Sequence, residues 1–348
     1  EFQTTSLGIK NISTSSLMCA LDETEFYRFT NSTFGILCAF DTHCSGISML
    51  NKGTPISKPA PSALPALLVI GACIILAGMD VTAKYLAALG VPVLMVVWGR
   101  YFFHTVVTFI VYVAAKRSLS FLHSRRPKLQ LIRAGALFIA TSCFYVAITK
   151  MQLADAAAIQ FLAPVLVTAF SGLFLGERVG FRRWSAVAVA FAGVIVVAQP
   201  GSGAIGVWGL LPLVTAMLLA IYLILTRMVR IGENPDATIF YTTAVGAVVL
   251  STAVMSDWQA LNDFQWGLML LMGSAGALGH FLLVRAFHEA EASVLAPFTY
   301  SQVVGAIIWG YIVFGDVPSP WTFLGTSMIM GSGIYVWYRE MTISGRAS

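Results

Sequence analysis

Charged side chains are scarce in this 348-residue chain, at 11% of residues, whereas hydrophobic residues make up 57%. The mean hydropathy is +0.80. A water-soluble protein of this size would need more polar surface to cover its core, so that class is excluded. The net charge of +5 gives no indication of a nucleic-acid partner. The composition therefore predicts an integral membrane protein.

Sequence signatures of enzymes and ATP-driven motors are also missing. No glycine-rich phosphate loop with its lysine occurs, so an ATP-driven motor is not indicated. Neither an HExxH sequence nor a cysteine pair with metal-ligand spacing occurs. Of the five cysteines, Cys73 and Cys143 stand singly in apolar segments, so no disulfide framework and no metal site are expected. The chain is not expected to be an enzyme or to carry a cofactor.

Ten apolar segments follow one another between residues 64 and 339. Each is close to the roughly 20 residues that cross the ~30 Å hydrocarbon core of a bilayer. Lipid offers the backbone no hydrogen-bond partner, and the segments alternate too little for a β-barrel, so each is predicted to be a helix. The predicted helices cover 65–86, 92–115, 130–150, 155–175, 182–199, 208–228, 237–256, 264–287, 292–314 and 320–339. The predicted fold is all-α, with ten transmembrane helices.

Basic residues concentrate in alternate connections between these segments. Lysine and arginine are frequent between predicted helices 2 and 3 and between helices 4 and 5, and they follow helices 6 and 10. The connection between helices 7 and 8 instead carries Asp257 and Asp263 and no basic residue. By the positive-inside rule, both termini are expected in the cytoplasm. The expected location is the bacterial inner membrane.

Part of the sequence is repeated. Residues 147–176 align without gaps on 286–315, and the acids Glu177 and Asp316 follow at equivalent places. Only the first copy continues into basic residues, which is expected if the two copies have opposite orientations in the membrane. The alignment predicts two inverted five-helix repeats, at 64–199 and 208–339, followed by a cytoplasmic tail at 340–348. The alternative is a chance match of two apolar helices.

Residues 164–178, PVLVTAFSGLFLGER, resemble the proline-to-Gly-Glu-Arg stretch of the EamA-type drug/metabolite transporter superfamily. Residues 80–85, DVTAKY, and 98–101, WGRY, are similar to stretches in the first two helices of many bacterial members. The resemblance covers about 64–339 and implies a ten-helix transporter. Members are reported to move riboflavin or S-adenosylmethionine, or to export amino acids or drugs. Val303 and Asp316 replace the proline and the glutamate in the second copy, so the roles of those positions do not carry over there.

Residues 1–60 lack helical periodicity and a long apolar core, and they contain three of the five cysteines. They are expected to form a leader outside the membrane. Two interpretations stay open. One is translated upstream sequence with Met49 as the natural start, and the other is a disordered tail.

Ionisable residues inside the predicted helices need a reason, because each costs about 2.5–3.5 kcal/mol near the bilayer centre. Asp80 and Lys84 are four residues apart in helix 1, so they can neutralise each other, or they can serve gating or substrate binding. Arg100 and His104 are similarly spaced in helix 2, beside Tyr101. Arg100 lies too deep to reach water, so it is expected either to clamp helices together through Asp80 or to face a central cavity.

Other polar residues are candidates for the same cavity. His280 lies inside helix 8 and could couple transport to protons or be a buried neutral histidine. Gln160, Tyr300 and Gln302 occupy equivalent helices of the two copies and suit an organic solute, although tyrosines also anchor helices at the membrane surface. Pro164 is predicted to kink or loosen helix 4.

Two sets of residues are therefore predicted. The predicted substrate-binding residues are Asp80, Arg100, Tyr101, Gln160, His280, Tyr300 and Gln302. The predicted gating or structural residues are Lys84, His104, Pro164, Glu177 and Arg178.

The sequence thus predicts a secondary transporter of a small organic metabolite that works by alternating access, with riboflavin- or S-adenosylmethionine-like uptake favoured. Its partners would be a small organic solute and the lipid bilayer. Glycines 273, 276 and 279 form a small-residue face that suits packing within the chain or between two copies, so a homodimer stays open. The alternatives are an exporter of amino acids or drugs, a non-transporting interaction protein, and a lipid-modifying or peptidase-like membrane enzyme.

Overall fold

A computed structural model describes residues 63–116, 119–174, 180–199, 206–229, 233, 235–290 and 292–347. In these ranges the regular structure is helical throughout, without a strand. The leader at 1–60, with Met49, lies outside the described residues, as do Glu177 and Arg178.

Eleven helices of eight residues or more are described in these ranges. They are α1 (Leu64–Ala88), α2 (Val93–Lys116), α3 (Pro127–Ile148), α4 (Leu153–Gln160), α5 (Ala163–Phe174), α6 (Phe181–Ala198), α7 (Leu210–Val229), α8 (Pro235–Ala253), α9 (Asp263–Glu289), α10 (Ser301–Phe314) and α11 (Pro320–Ala347). A helical turn, Ala292–Leu295, and a 3₁₀ helix, Ala296–Tyr300, lead into α10. Further 3₁₀ turns are Ser120–Leu122, Gly206–Gly209 and Val254–Asp257.

Seven helical segments among the described residues are long and apolar enough to cross a membrane. They are Leu64–Ala88, Val93–Ala114, Pro127–Ile148, Gly206–Thr226, Ala237–Asp257, Asp263–Phe287 and Ala296–Phe314. Two shorter apolar segments are Leu153–Val167 and Trp184–Ala198. An all-helical membrane protein is therefore confirmed, whereas the count of ten spans in two repeats stays a prediction.

The structure corrects the fourth predicted span, which was expected to be one helix over 155–175. Helix α4 ends at Gln160, and α5 begins at Ala163 after a two-residue turn. Pro164 is the second residue of α5, where its missing N–H costs no helical hydrogen bond. The ninth predicted span is irregular too, because the 3₁₀ helix ends at Tyr300. In the repeat alignment, residues 161 and 162 correspond to 300 and 301, so both interruptions fall at the same place.

Local sequence explains two of the helix ends that matter below. Asn262 begins α9 with a capping box: its side-chain oxygen accepts from the Gln265 N–H at 2.9 Å, and the Gln265 side chain accepts from the Asn262 N–H at 3.1 Å. Gly315 ends α10 in the left-handed region, at φ 68°. The Asp316 N–H then bonds back to the Gly310 carbonyl at 3.2 Å, which fixes the direction in which the chain leaves the helix.

Helices from the two halves of the chain pack against each other in the interior. Helix α1 lies on α9 and α10, α2 lies on α8 and α9, α3 lies on α7 and α8, and α6 lies on α11. Glycines allow the closest approaches: Gly273 lies against Phe103, and Gly276 lies against His104. Gly193 of α6 and Gly325 of α11 meet backbone to backbone. Lipid tails are as apolar as the helix surfaces, so there is no hydrophobic driving force between helices in a membrane. Close van der Waals packing stabilises the bundle instead.

Helix α11 is longer than predicted. It begins at Pro320, as expected, but continues to Ala347 instead of ending near 339. Most of the segment predicted as a tail at 340–348 is therefore a continuation of the last helix.

Candidate functional site

Arg100 projects from α2 among aromatic rings. Its guanidinium carbon lies 5.2 Å from the centroid of the Tyr145 ring and 5.9 Å from that of Tyr101. The side chain is half-buried. No carboxylate oxygen of the described residues lies within 4.0 Å of the guanidinium. The positive charge is thus held by aromatic faces instead of an acid.

Asp80 of α1 lies near Arg100 without touching it. The Asp80 side chain is only 6% exposed, and the Gln302 amide donates to its Oδ2 over 3.5 Å. Arg100 is close enough to influence the carboxylate electrostatically. The direct Arg100–Asp80 clamp that the sequence suggested is therefore absent, because the two charges are held apart. Of the predicted cavity residues, the structure brings Asp80, Arg100 and Gln302 together.

Tyr145 of α3 completes this group. Its hydroxyl lies next to both the Asp80 carboxylate and the Arg100 guanidinium. It is buried and makes no hydrogen bond of normal length and angle within the described structure. We call Asp80, Arg100, Tyr145 and Gln302 the central cluster. Buried polar groups are usually paired, so a hydroxyl that lies beside two charges without a well-formed hydrogen bond to either marks a place where a ligand can complete the bonding.

Residues next to the central cluster are fixed by hydrogen bonds. The hydroxyls of Tyr101 and Thr141 lie 3.0 Å apart, which ties α2 to α3. The Trp98 indole N–H donates to Ser251 Oγ at 2.9 Å, which ties α2 to α8. The Tyr101 ring beside Arg100 is therefore fixed in position by its hydrogen bond to Thr141.

His104 and His280 face each other across α2 and α9, with their ring centroids 5.2 Å apart. His280 Nδ1 lies 2.8 Å from the carbonyl oxygen of Gly276. A carbonyl only accepts, so Nδ1 carries the proton and Nε2 is free to accept one. This pair lies on the α2 face that also carries Arg100, one turn away. A role in proton coupling stays a prediction.

Lys84 corrects a sequence-based interpretation. Its ammonium does not pair with Asp80, four residues earlier, but donates to Asp316 Oδ2 at 2.9 Å and to the Met151 carbonyl at 3.2 Å. It also lies 4.6 Å from the centroid of the Phe314 ring. The turn at Gly315 presents Asp316 to Lys84, so this ion pair joins α1 to the connection before α11.

The Lys84–Asp316 pair borders a cleft of about 460 Å³. Asp155 of α4 also lines it, and its Oδ1 accepts from the Thr322 hydroxyl of α11 at 2.6 Å. Gln199, at the end of α6, donates to Ser319 Oγ at 3.3 Å. Hydrogen bonds between the two halves thus line the cleft, and Asp155 was not among the predicted residues.

Arg133 of α3 is a second buried arginine, and it was not among the residues predicted from the sequence. Its guanidinium donates to the hydroxyls, amide oxygen and backbone carbonyl of neighbours on α3, α7 and α8. The acceptors are Gln130 Oε1, Tyr222 Oη, Thr226 Oγ1, Thr238 O and Thr242 Oγ1, at 2.5 to 3.3 Å. The available signal was a charge three residues after the predicted start of an apolar segment at 130, weaker than that of Arg100, which lies eight residues after the start of its segment at 92.

Gln160 and Tyr300 lie at the two helix interruptions. Gln160 is the last residue of α4, and the next residue, Phe161, packs its ring 5.3 Å from that of Tyr300. The Tyr300 hydroxyl lies against Gly333 of α11. These contacts do not join the central cluster, so a direct role of Gln160 and Tyr300 in binding stays a prediction. Among the described residues, no group of three or more His, Cys, Asp or Glu side chains is placed to hold a metal ion.

Two stretches of the chain, residues 63–199 and 206–338, match the EamA-like transporter family. The chain belongs to this family. A solved structure, a crystal structure of another protein, shares the fold with a TM-score of 0.56 and 16% sequence identity. It covers 77% of this chain and 95% of its own.

Three relatives of this chain are named for the transport of different solutes. The S-adenosylmethionine uptake transporter of Rickettsia bellii (strain RML369-C) is 27% identical over 75% of this chain and 89% of its own. The pseudopaline exporter CntI of Pseudomonas aeruginosa (strain UCBPP-PA14) is 28% identical over 64% of this chain and 79% of its own. The riboflavin transporter of Rhizobium johnstonii (strain DSM 114642 / LMG 32736 / 3841) is 25% identical over 64% of this chain and 74% of its own.

Proposed function

We propose that this EamA-like protein is a secondary carrier of a small organic metabolite that works by alternating access. The observation that carries the proposal is the central cluster, where Asp80 and Arg100 lie inside apolar helices without a direct ion pair, with the Tyr145 hydroxyl beside both. Unpaired charges at such a depth are costly, and in membrane proteins they mark substrate pathways. Relatives named for metabolite transport support the same function.

The proposed architecture is two inverted five-helix repeats. The family matches the chain twice. The helix contacts also keep their pattern when the halves are exchanged: α1–α9 corresponds to α3–α7, α2–α9 to α3–α8, and α1–α10 to α5–α7. The interruptions after α4 and before α10 fall at aligned positions. Discontinuous helices at corresponding places in two repeats are typical of midplane binding sites in transporters.

The distribution of basic residues supports an inner-membrane orientation with both termini in the cytoplasm. In that orientation α1 ends outside, so the cleft bordered by Lys84 and Asp316 opens to the exterior. The Arg133 network lies toward the opposite end of the bundle, six residues into α3. The two halves would rock about the central cluster, which would be reached from one side at a time.

Uptake is the favoured direction, because the S-adenosylmethionine uptake transporter matches over 89% of its length. S-adenosylmethionine- or riboflavin-like solutes are therefore the first candidates. Export is the second candidate, supported by the similarity to the pseudopaline exporter CntI over 79% of that protein. Assembly as a homodimer stays a prediction.

Solute counterflow in proteoliposomes tests the proposal without knowledge of a coupling ion. Vesicles containing the full chain would be loaded with one unlabelled compound and diluted into a trace of the labelled one. The compounds would include S-adenosylmethionine, riboflavin, amino acids and nucleosides. Transient accumulation of at least one is expected. A folded protein that exchanges none of them would contradict transport and favour an interaction or enzymatic role.

A further inference from the structure

We propose that the central cluster binds a zwitterionic amino-acid group, with the ligand carboxylate at Arg100 and its ammonium at Asp80. The inference rests on the proposed function and adds the chemical class of the substrate. It predicts that a solute must carry both charges on one end to be transported.

The separation of the two protein charges is the first argument. In surroundings of low dielectric, an arginine and an aspartate attract strongly, and a structural clamp would close to direct contact. Instead no carboxylate of the described residues lies within 4.0 Å of Arg100, and the neighbours of the Asp80 carboxylate are neutral: the Gln302 amide at 3.5 Å and the Tyr145 hydroxyl. A ligand with one negative and one positive group would satisfy both ions without closing that gap.

The surroundings of Arg100 give the second argument. The guanidinium carbon lies 5.2 and 5.9 Å from the ring centroids of Tyr145 and Tyr101, and no N–H group of Arg100 is used by a carboxylate of the described residues. The edge of a guanidinium matches the two oxygens of a carboxylate. The hydroxyl of Tyr145 stands beside both charges and can bond to either end of the bound group.

Other ligand charges fit less well. A simple anion would satisfy Arg100 but would meet the Asp80 carboxylate with like charge. A simple cation would satisfy Asp80 and leave Arg100 without an acid. A neutral ring compound would leave both ions unpaired, which is costly in apolar surroundings. Only a zwitterion neutralises both residues at once.

The first test compares probes that share a body and differ in the charged group. S-adenosylhomocysteine carries the amino-acid group, whereas 5′-methylthioadenosine has the same nucleoside and the same uncharged thioether without it. Both would be measured by counterflow with the full chain, alongside riboflavin and a mixture of labelled α-amino acids. Exchange is expected only for compounds with the free carboxylate and ammonium. Exchange of riboflavin or methylthioadenosine would overturn this inference and leave the proposed function intact, whereas no exchange at all would overturn both.

The second test measures how substitutions in the central cluster change the preference between substrate analogues. A folding defect would lower the transport of all analogues alike, so it cannot imitate a changed preference. For the best zwitterionic probe, its N-acetyl form lacks the ammonium, and its methyl ester lacks the carboxylate charge. Wild type should prefer the zwitterion to each analogue by about 100-fold. Asp80→Asn should lose its preference over the N-acetyl form, and Arg100→Gln its preference over the ester. The exposed-charge controls Asp257→Asn and Lys128→Gln should keep the wild-type preferences. Unchanged selectivity in both cluster variants would overturn the assignment.

Discussion

Two arginines buried in neighbouring helices have opposite surroundings. Arg133 of α3 is 1% exposed, and its donors all point at neutral oxygens of α3, α7 and α8. Arg100 of α2 is half-buried, lies against two tyrosine rings, and meets no acid among the described residues. Both arginines lie in the same apolar bundle, but only Arg133 donates hydrogen bonds of normal geometry from all three of its guanidinium nitrogens.

The difference separates a structural charge from a binding charge. A cation whose hydrogen bonds are complete holds helices together and has nothing to offer a ligand. A cation that keeps free donors costs stability, and that cost is recovered when a ligand binds. Depth in the membrane alone therefore does not identify a site, and the state of the hydrogen bonds has to be considered with it.

The largest expected effect is on transport by Arg100→Ala. This variant should lose at least about 100-fold in exchange rate, because the donors for the ligand are gone. Its thermal stability should fall less than that of the Arg133→Met variant, because Arg100 makes no direct ion pair and its polar neighbours are only Tyr145 and Asp80. Counterflow together with a melting curve in detergent measures both. Normal transport by this variant would show that the site lies elsewhere.

Arg133→Met should give the reverse result. It leaves the acceptors of Thr238, Tyr222 and Gln130 buried without their donor, at a cost of about 3 kcal/mol in unfolding free energy. The melting temperature should fall, while the folded fraction keeps its substrate affinity. If affinity fell and stability did not, the assignment of Arg133 to the scaffold would be wrong.

A finer contrast comes from two single hydroxyls, one beside each arginine. Tyr145→Phe removes a hydroxyl that makes no well-formed hydrogen bond, so it should change stability little and weaken substrate affinity about 10-fold. Thr242→Val removes an acceptor of Arg133, at 2.7 Å in the structure, and should cost about 1 kcal/mol of stability without changing affinity. Substrate titration and chemical unfolding on both variants would show whether the effects separate as expected.

The smallest effect is expected at the third cation, Lys84. Its pair with Asp316 is partly open to solvent, at 14% and 24% side-chain exposure, so the coupling should be about 1 kcal/mol or less. A double-mutant cycle with Lys84→Met and Asp316→Asn measures it. The reversed pair, Lys84→Asp with Asp316→Lys, should recover part of the loss. If Lys84→Met were unaffected by the residue at 316, the ion pair would not join the halves energetically.

The sequence predicted most of the spans because apolar length is a local property. Partners across the bundle were not accessible in the same way. Asp80 was one partner suggested for Lys84, because the two are neighbours on the helix, but its partner Asp316 lies 232 residues away. The turn between α4 and α5 was missed because Phe161 and Leu162 are as apolar as the helices beside them.

The central cluster was predicted only in part, because contacts across the bundle are not accessible from the sequence. Charge in an apolar segment identified Asp80 and Arg100, but it could not show that they fail to touch. Tyr145 gains its importance only from the tertiary structure, which places its hydroxyl beside both Asp80 and Arg100. The Arg133 network also depends on α7 and α8, which are distant in sequence.

The contact between Gly193 and Gly325 has a mechanical consequence for the proposed rocking of the halves. A β-carbon on either glycine would press into the opposite backbone, and the side chains of Val197, Met328 and Ile329 close the contact on its flanks. Larger residues at these two positions would therefore push α6 and α11 apart. The crossing of α6 and α11 thus depends on two hydrogen atoms in place of side chains, so that any movement of one half against the other must keep this distance or break the contact altogether.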